Sequence, residues 1–240
     1  MKSYFVTSSG TDVGKTFVTA ILARQLRKQS FRVELLKPVI TGFSVGDRNC
    51  DSAILLESLD QNAEADHIVA ISPWRYNEPI SPDMAAQREG RPIDFDELVR
   101  FSKTNPLSGD TSPDFHFVEG IGGVMVPLTE KKTVLDWIHE LGYPAILVVG
   151  SYLGSLNHTL ISAMALERRG VEIAAVIVSE STLQPVPLAD TVGTLKRFLP
   201  ASHVLPLPRL TGGLDAWQEA PDLVTPLFLE APEAAAAGAS

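Results

Sequence analysis

Short apolar, β-branched runs alternate along this chain with segments whose apolar residues recur at helical spacing. Strand-like runs fall at Tyr4 to Thr7, Arg32 to Leu36, Phe115 to Val118, Ala145 to Val149, Ile173 to Val178 and His203 to Leu207. Between them, Thr16 to Gln29 reads as a helix with Val18, Ile21, Leu22 and Leu26 on one face. Helical patterns follow at Asp94 to Lys103, Val134 to Leu141, Leu156 to Arg169 and Leu188 to Phe198. Several strands are apolar on both faces, the pattern of a parallel sheet covered by helices on both sides. Strand–helix alternation with right-handed crossovers predicts an α/β fold, a doubly wound and mostly parallel sheet. Ligands of such sheets sit beyond the carboxyl ends of the strands, so the chemistry is expected there. One domain is expected over residues 1–230, and the Ala-rich stretch 231–240 reads as a frayed tail.

Composition narrows the function classes. With 240 residues, 45% hydrophobic and 20% charged, one α/β domain buries a sufficient core without a second. A formal charge of −9 argues against a nucleic-acid surface, which needs clustered cations. The single cysteine, Cys50, excludes an intrachain disulfide framework and fits a reducing cytoplasm. Apolar runs such as Ala145 to Val149 reach strand length only, well below the ~20 residues of a membrane span. The expectation is a soluble, cytoplasmic protein.

The first strand leads into Ser8-Ser9-Gly10-Thr11-Asp12-Val13-Gly14-Lys15-Thr16 and then directly into a helix. A loop in that context points backbone N–H groups at phosphate oxygens, helped by the positive helix N-terminus. Lys15 reaches the β- and γ-phosphates of a nucleotide and the Thr16 hydroxyl suits Mg²⁺. This is a P-loop without its opening glycine: Ser9 and Ser8 occupy the candidate positions, and Gly10 is expected to supply the flexibility instead.

Other strand ends carry polar groups. Lys37 closes the second strand, either as a solvated lysine or as a cation placed to stabilise a transferring phosphoryl group. Asp51 reads as the N-cap of the following helix or as a group near the metal. Glu119-Gly120-Ile121-Gly122-Gly123 follows the strand ending at Val118, and an acid followed by glycines suits Mg²⁺ and nucleotide binding. The Gly150 to His158 segment sits at another strand-to-helix junction, where free N–H groups suit a carboxylate. His158 reads as a structural residue early in that helix, and Cys50 as incidental.

Taken in order, Thr11 to Thr16, Lys37-Pro38-Val39-Ile40-Thr41-Gly42, Asp51, Pro79-Ile80-Ser81-Pro82 through Gly90-Arg91-Pro92-Ile93, Glu119 to Gly123 and Gly154 to His158 resemble the dethiobiotin synthetases. The resemblance covers roughly Tyr4 to Leu210 and implies a fold of the P-loop NTPase type. It also implies a homodimer that uses ATP, Mg²⁺ and CO₂ to close the ureido ring of dethiobiotin from 7,8-diaminononanoate. Under it Lys15, Lys37 and Thr11 act in catalysis, and Thr16, Asp51 and Glu119 surround the metal. Asp12 to Phe17, Gly120, Ile121, Gly122, Ser179, Leu207, Pro208 and Arg209 hold the nucleotide. Asp12, Lys37 and Thr41 lie beside the diamine, and Gly150, Ser151, Tyr152, Leu153 and Asn157 of the neighbouring subunit take its carboxylate. Three positions depart from the family: Ser8 stands for glycine, Asp83 for histidine, and Ser179 for an asparagine that holds the base.

The competing reading is a P-loop switch ATPase of the partitioning or septum-placement kind. Those carry an additional lysine early in the loop, where this chain has Ser8, Ser9 and Gly10.

Overall fold

A computed structural model describes residues 1–108, 111–210, 216–217 and 219–229. The expected tail, 231–240, lies outside the described residues. Six strands form one parallel sheet: β1 (Lys2–Ser8), β2 (Val33–Leu36), β5 (Phe115–Glu119), β6 (Ala145–Gly150), β7 (Ile173–Ser179) and β8 (His203–Leu207). The order β2-β5-β1-β6-β7-β8 places β1 centrally, so the chain winds outward from it in both directions. The carboxyl end of β1 is the topological switch point, where such sheets bind ligands.

Alternate residues of the strands enter two separate cores. Val6, Leu35, Phe117, Ile146, Val148 and Ile177 pack under α1 (Lys15–Lys28) and α2 (Asp51–Ser58). Phe5, Leu36, Val118, Leu147, Val149 and Val178 pack against α6 (Val134–Leu141), α7 (Ser155–Arg168) and α8 (Leu188–Phe198). The two-faced apolar character of the strands is therefore used on both sides of the sheet. Between β2 and β5 lie β3 (Val39–Ile40), α3 (Ala65–Ile71), β4 (Trp74–Arg75), α4 (Pro82–Arg88) and α5 (Phe95–Phe101), with β3 and β4 paired in a small second sheet. Among the described residues, no helix is long and apolar enough to cross a membrane.

Local chemistry sets the element ends. Thr133 and Asp136 form a reciprocal capping box at the start of α6, and Gly142 closes it in the left-handed conformation. Asp94 is expected inside a helix but is instead the N-cap of α5, its carboxylate accepting from the Glu97 N–H.

At the sheet's opposite end, His116 is 0% exposed, neither ring nitrogen has a partner among the described residues, and burial pushes its pKa down to about 4. An unfolded histidine titrates near 6.5. The unfolded chain therefore binds the proton first, and stability is lost as pH falls through this window. At 1.36 kcal/mol per unit, the loss approaches about 3 kcal/mol by pH 4. Glu34, its Cα partner across the β2–β5 ladder, has a carboxyl pushed up by burial, against bonds from Ser108 and the Leu107 N–H, and works in the opposite direction. His116→Leu is expected to flatten the acid limb of stability against pH in denaturant titrations. An unchanged slope would assign that limb to other groups.

Candidate active site

The loop joining β1 to α1 turns twice through left-handed backbone, at Asp12 (φ 58°) and Gly14 (φ 94°). Aspartate tolerates this region better than most side chains. Gly10, expected to supply the loop's flexibility, is not in that region, and a side chain there would meet nothing within 4 Å. The left-handed turns of the loop fall at positions 12 and 14 instead. Gly14 caps α1 without a side-chain bond, so the first N–H groups of the helix stay open for an anion. A Cβ at Gly14 would lie 3.0 Å from Ser179 Oγ, which brings the loop against the end of β7. On its other side the loop is tied to the segment after β5, where the Val124 N–H donates to the Ser8 carbonyl at 3.0 Å. The Ser8 hydroxyl is buried; it accepts from Lys15 Nζ at 3.1 Å and lies 2.7 Å from the Gly122 carbonyl. The serine that departs from the family's glycine thus braces two loops.

Behind the loop four side chains converge from four elements. Lys37 Nζ donates to Glu119 Oε1 at 2.8 Å and to the Gly120 carbonyl at 2.7 Å, and it pairs with Asp51 Oδ2 at 3.0 Å. Thr16 Oγ1 lies 2.7 Å from Asp51 Oδ1 and 2.8 Å from Glu119 Oε1, its one proton serving either. Lys37 is 1% exposed and Glu119 0%. Burial alone pulls the Lys37 ammonium down, but the Asp51 and Glu119 carboxylates outweigh it and raise its pKa. Lys37 in turn holds the Asp51 carboxyl below its usual range. Lys15 has no such carboxylate contact; burial, reinforced by repulsion from Lys37, lowers its pKa to about 8. Of the two roles open for Lys37, the solvated one is excluded by its burial. Asp51 is not the N-cap of α2, a position held by Cys50; as the first helical residue it turns its carboxylate toward Thr16 and Lys37.

Two cavities flank the P-loop. One of about 610 Å³ is lined by Thr11, Asp12, Gly14, Lys15, Thr16 and Phe17 and by Lys37, Thr41, Asp51, Ile121 and Gly122. Ile40, Ile54 and Pro79 form its apolar wall, which periodicity gave no reason to single out. The second, about 310 Å³, is lined by Asp12, Val13, Gly14 and Phe17 with Ser179, Leu207, Pro208 and Arg209. Glu180, Ser181 and Thr182 also line it, and their signal in the sequence was their place directly after β7. Glu180 ties the β7 and β8 ends together, its N–H donating to the Leu207 carbonyl and its carboxylate accepting from the Arg209 N–H.

The Gly150–Asn157 segment lines neither cavity. Gly154 caps α7 in left-handed backbone with no side-chain bond; the Ser155 N–H donates to the Tyr152 carbonyl at 3.0 Å, and among the described residues the Leu156 and Asn157 N–H groups are left open. Ser151 is braced by Ser181 and Gln184, His158 Nδ1 lies 2.8 Å from the Tyr152 hydroxyl, and Leu153 is 85% exposed. Asp83 likewise lies apart from both, on α4 beside a separate cavity.

A solved cell division protein, MinD of Aquifex aeolicus, shares this fold and superposes with a TM-score of 0.52 at 19% identity, over 90% of this chain and 86% of that one. The family described as "AAA domain" matches residues 2–212. A central parallel sheet, an open helix N-terminus and the Gly14-Lys15-Thr16 loop define a P-loop nucleotide-binding protein. The ATP-dependent dethiobiotin synthetase of Acidiphilium cryptum is 44% identical over 204 residues, 84% of this chain and 90% of that protein. Those of Caulobacter vibrioides and Escherichia coli are 38% and 32% identical, covering 90% and 87% of this chain and 96% and 91% of theirs. The chain belongs to the family of ATP-dependent dethiobiotin synthetases, and is an ATP-dependent ligase. Its likeness to the MinD cell division protein is one of fold.

Proposed function

We propose that this chain closes the ureido ring of dethiobiotin from 7,8-diaminononanoate and CO₂, consuming ATP and releasing ADP and phosphate. The observation that carries this reading is the Lys37–Asp51–Glu119–Thr16 cluster. It sets a buried cation and two carboxylates beside the P-loop at the floor of a cavity that also presents Thr11, Asp12 and Thr41.

The donor set fits Mg²⁺. The ion is bound through one or two carboxylates together with substrate phosphates, and Thr16, Asp51 and Glu119 supply two carboxylates and a hydroxyl. Among the described residues Glu119 Oε2 is buried without a hydrogen-bond partner, a lone pair that a bound ion would satisfy. When bound, the ion neutralises charge on the β- and γ-phosphates.

The residues then divide the work. Asp12 and Thr41 hold the diamine in the larger cavity, where one amine takes up CO₂ as a carbamate. A carbamate oxygen attacks the γ-phosphorus and the bond to the ADP oxygen breaks, giving a carbamic–phosphoric anhydride. The second amine attacks the carbonyl carbon, loses its proton and expels phosphate as the ring closes. Thr11, Lys15 and Lys37 position the reacting groups and offset charge growing on the transferring phosphoryl group. This path carries one bicarbonate-derived oxygen into the phosphate. With ¹⁸O-labelled bicarbonate, mass analysis is expected to find one labelled oxygen per phosphate. Label-free phosphate, under conditions that suppress exchange with water, would refute the anhydride.

We further propose an isologous homodimer in which the Gly150–Asn157 loop of one subunit receives the substrate carboxylate for the other. The loop's open helix N-terminus and its absence from its own subunit's cavity support this. Mixing an inactive Lys37 variant with an inactive loop variant is expected to restore part of the activity. No recovery despite demonstrated subunit exchange would confine the site to one subunit.

The smaller cavity takes the base, and other nucleoside triphosphates are expected to serve beside ATP. An asparagine at position 179 offers adenine a donor and an acceptor together, whereas the Ser179 hydroxyl is single and short. Losing such a pair removes about one order of magnitude of discrimination. Comparing kcat/KM for ATP, GTP and CTP is expected to show weak preference, sharpened about tenfold by Ser179→Asn. A natural preference for ATP above ~1,000-fold would assign adenine recognition to other groups, such as the Leu207–Arg209 backbone.

A further inference from the structure

Beyond residue 212, where the family match ends, the described residues 216–217 and 219–229 include several that are fastened onto α1. On α1, Phe17, Arg24 and Gln25 are spaced to share one face. Trp217, 5% exposed, stacks on Phe17 with ring centroids 6.4 Å apart and planes 14° from parallel. The Arg24 guanidinium covers the Trp217 ring at 4.8 Å. Gln25 grips the backbone beyond, its amide N–H donating to the Pro221 carbonyl at 2.8 Å and its oxygen accepting from the Leu223 N–H at 2.9 Å. Further on, Lys2 Nζ donates to the Phe228 carbonyl, and Leu223, Val224 and Phe228 are buried.

Phe17 is where this strap meets the chemistry. With Asp12 and Gly14 it is one of three residues that line both cavities beside the P-loop, and it is the only aromatic among the three. Trp217 stacks on its ring, and the same residue borders both cavities. A phenylalanine one position after Thr16 has rotameric freedom unless something packs on it, and Trp217 supplies that packing.

We propose that Trp217 is a positioning residue for the nucleotide: by stacking on Phe17 it fixes the aromatic wall between the phosphate and base cavities. This rests on reading those cavities as the nucleotide groove. The strap then acts on nucleotide affinity and leaves phosphoryl transfer, which belongs to Lys15, Lys37 and the carboxylates, unaltered.

Calorimetric titration of the full-length chain with MgADP tests this directly. Given the strength of a single aromatic pair, Trp217→Ala is expected to weaken binding about three- to tenfold, whereas Trp217→Phe, which keeps a ring, stays within about twofold. In a Phe17→Ala background the same change at Trp217 adds no further loss, because the wall it supports is gone. In turnover, Trp217→Ala raises the KM for ATP by the same factor while kcat and the KM for the diamine hold. A folded Trp217→Ala variant with unchanged MgADP affinity overturns the proposal, as does an equal loss in both backgrounds, the mark of a merely structural role. Should Trp217→Ala fail to fold, Trp217→Leu carries the same comparison. If the wild-type chain binds no MgADP, the reading of the groove itself fails, an outcome distinct from insensitivity to Trp217.

Discussion

Replacing Lys37 by alanine is expected to lower kcat at least about 100-fold, since losing one preorganised donor at a site of developing charge costs ~2.7–4 kcal/mol. The ammonium is 1% exposed, aimed by two carboxylates and a carbonyl, and kept charged by Asp51 and Glu119. It therefore needs no reorganisation as charge moves onto the phosphoryl group. The same burial makes a second result unavoidable. Without Lys37, Glu119 is a fully buried carboxylate lacking its cation, and breaking a buried pair from one side costs about 3–5 kcal/mol. Adding Glu119→Gln removes the stranded charge and tests the stability loss alone, since Glu119 is also a proposed metal ligand. The double variant is expected to regain much of the lost stability in thermal melts but none of the lost rate. Near-normal turnover in a folded Lys37→Ala variant would remove this residue from the mechanism.

Lys15→Ala is the second large effect, again at least about 100-fold in kcat. Its environment differs from that of Lys37: the ammonium donates to the neutral Ser8 hydroxyl, and its pKa is depressed to about 8 by burial first and by Lys37 second. A buried cation without a carboxylate of its own gains most from an arriving anion, here the nucleotide phosphates. Because Lys15 is mostly buried and weakly paired, its removal relieves repulsion on Lys37, and the variant is expected to stay folded. A raised KM with unchanged kcat would instead describe uniform binding, with no part in the transition state.

All six strands of the main sheet were legible as apolar runs bounded by polar loops, and α1, α6, α7 and α8 as stripes sustained over two turns or more, with α5 inside the longer 94–103 pattern. The small sheet was not: β3 and β4 are two residues each, too short for any alternation to register. Helices α3 and α4, seven residues each, span about two turns and show no sustained stripe. Site residues were legible as polar groups at strand ends, since the sheet topology brings those ends together. Their mutual contacts were not, because Lys37, Asp51 and Glu119 meet only through long-range pairing of β2, α2 and β5. Two local assignments misled for the same reason. Gly10 reads as the flexible position and Asp51 as a cap when neighbours alone are considered. In the fold the turns fall on Asp12 and Gly14, and Asp51 is turned to the cation. Trp217 gave no signal at all, since it acts by contact with α1 about two hundred residues earlier.

The reaction itself is open to a direct measurement. Purified chain is incubated with 7,8-diaminononanoate, bicarbonate, Mg²⁺ and ATP, and the products are resolved by mass. Dethiobiotin is expected to accumulate together with ADP, dependent on the diamine, bicarbonate and nucleotide alike. ATP hydrolysis that proceeds at the same rate without the diamine and yields no dethiobiotin would contradict the proposed reaction.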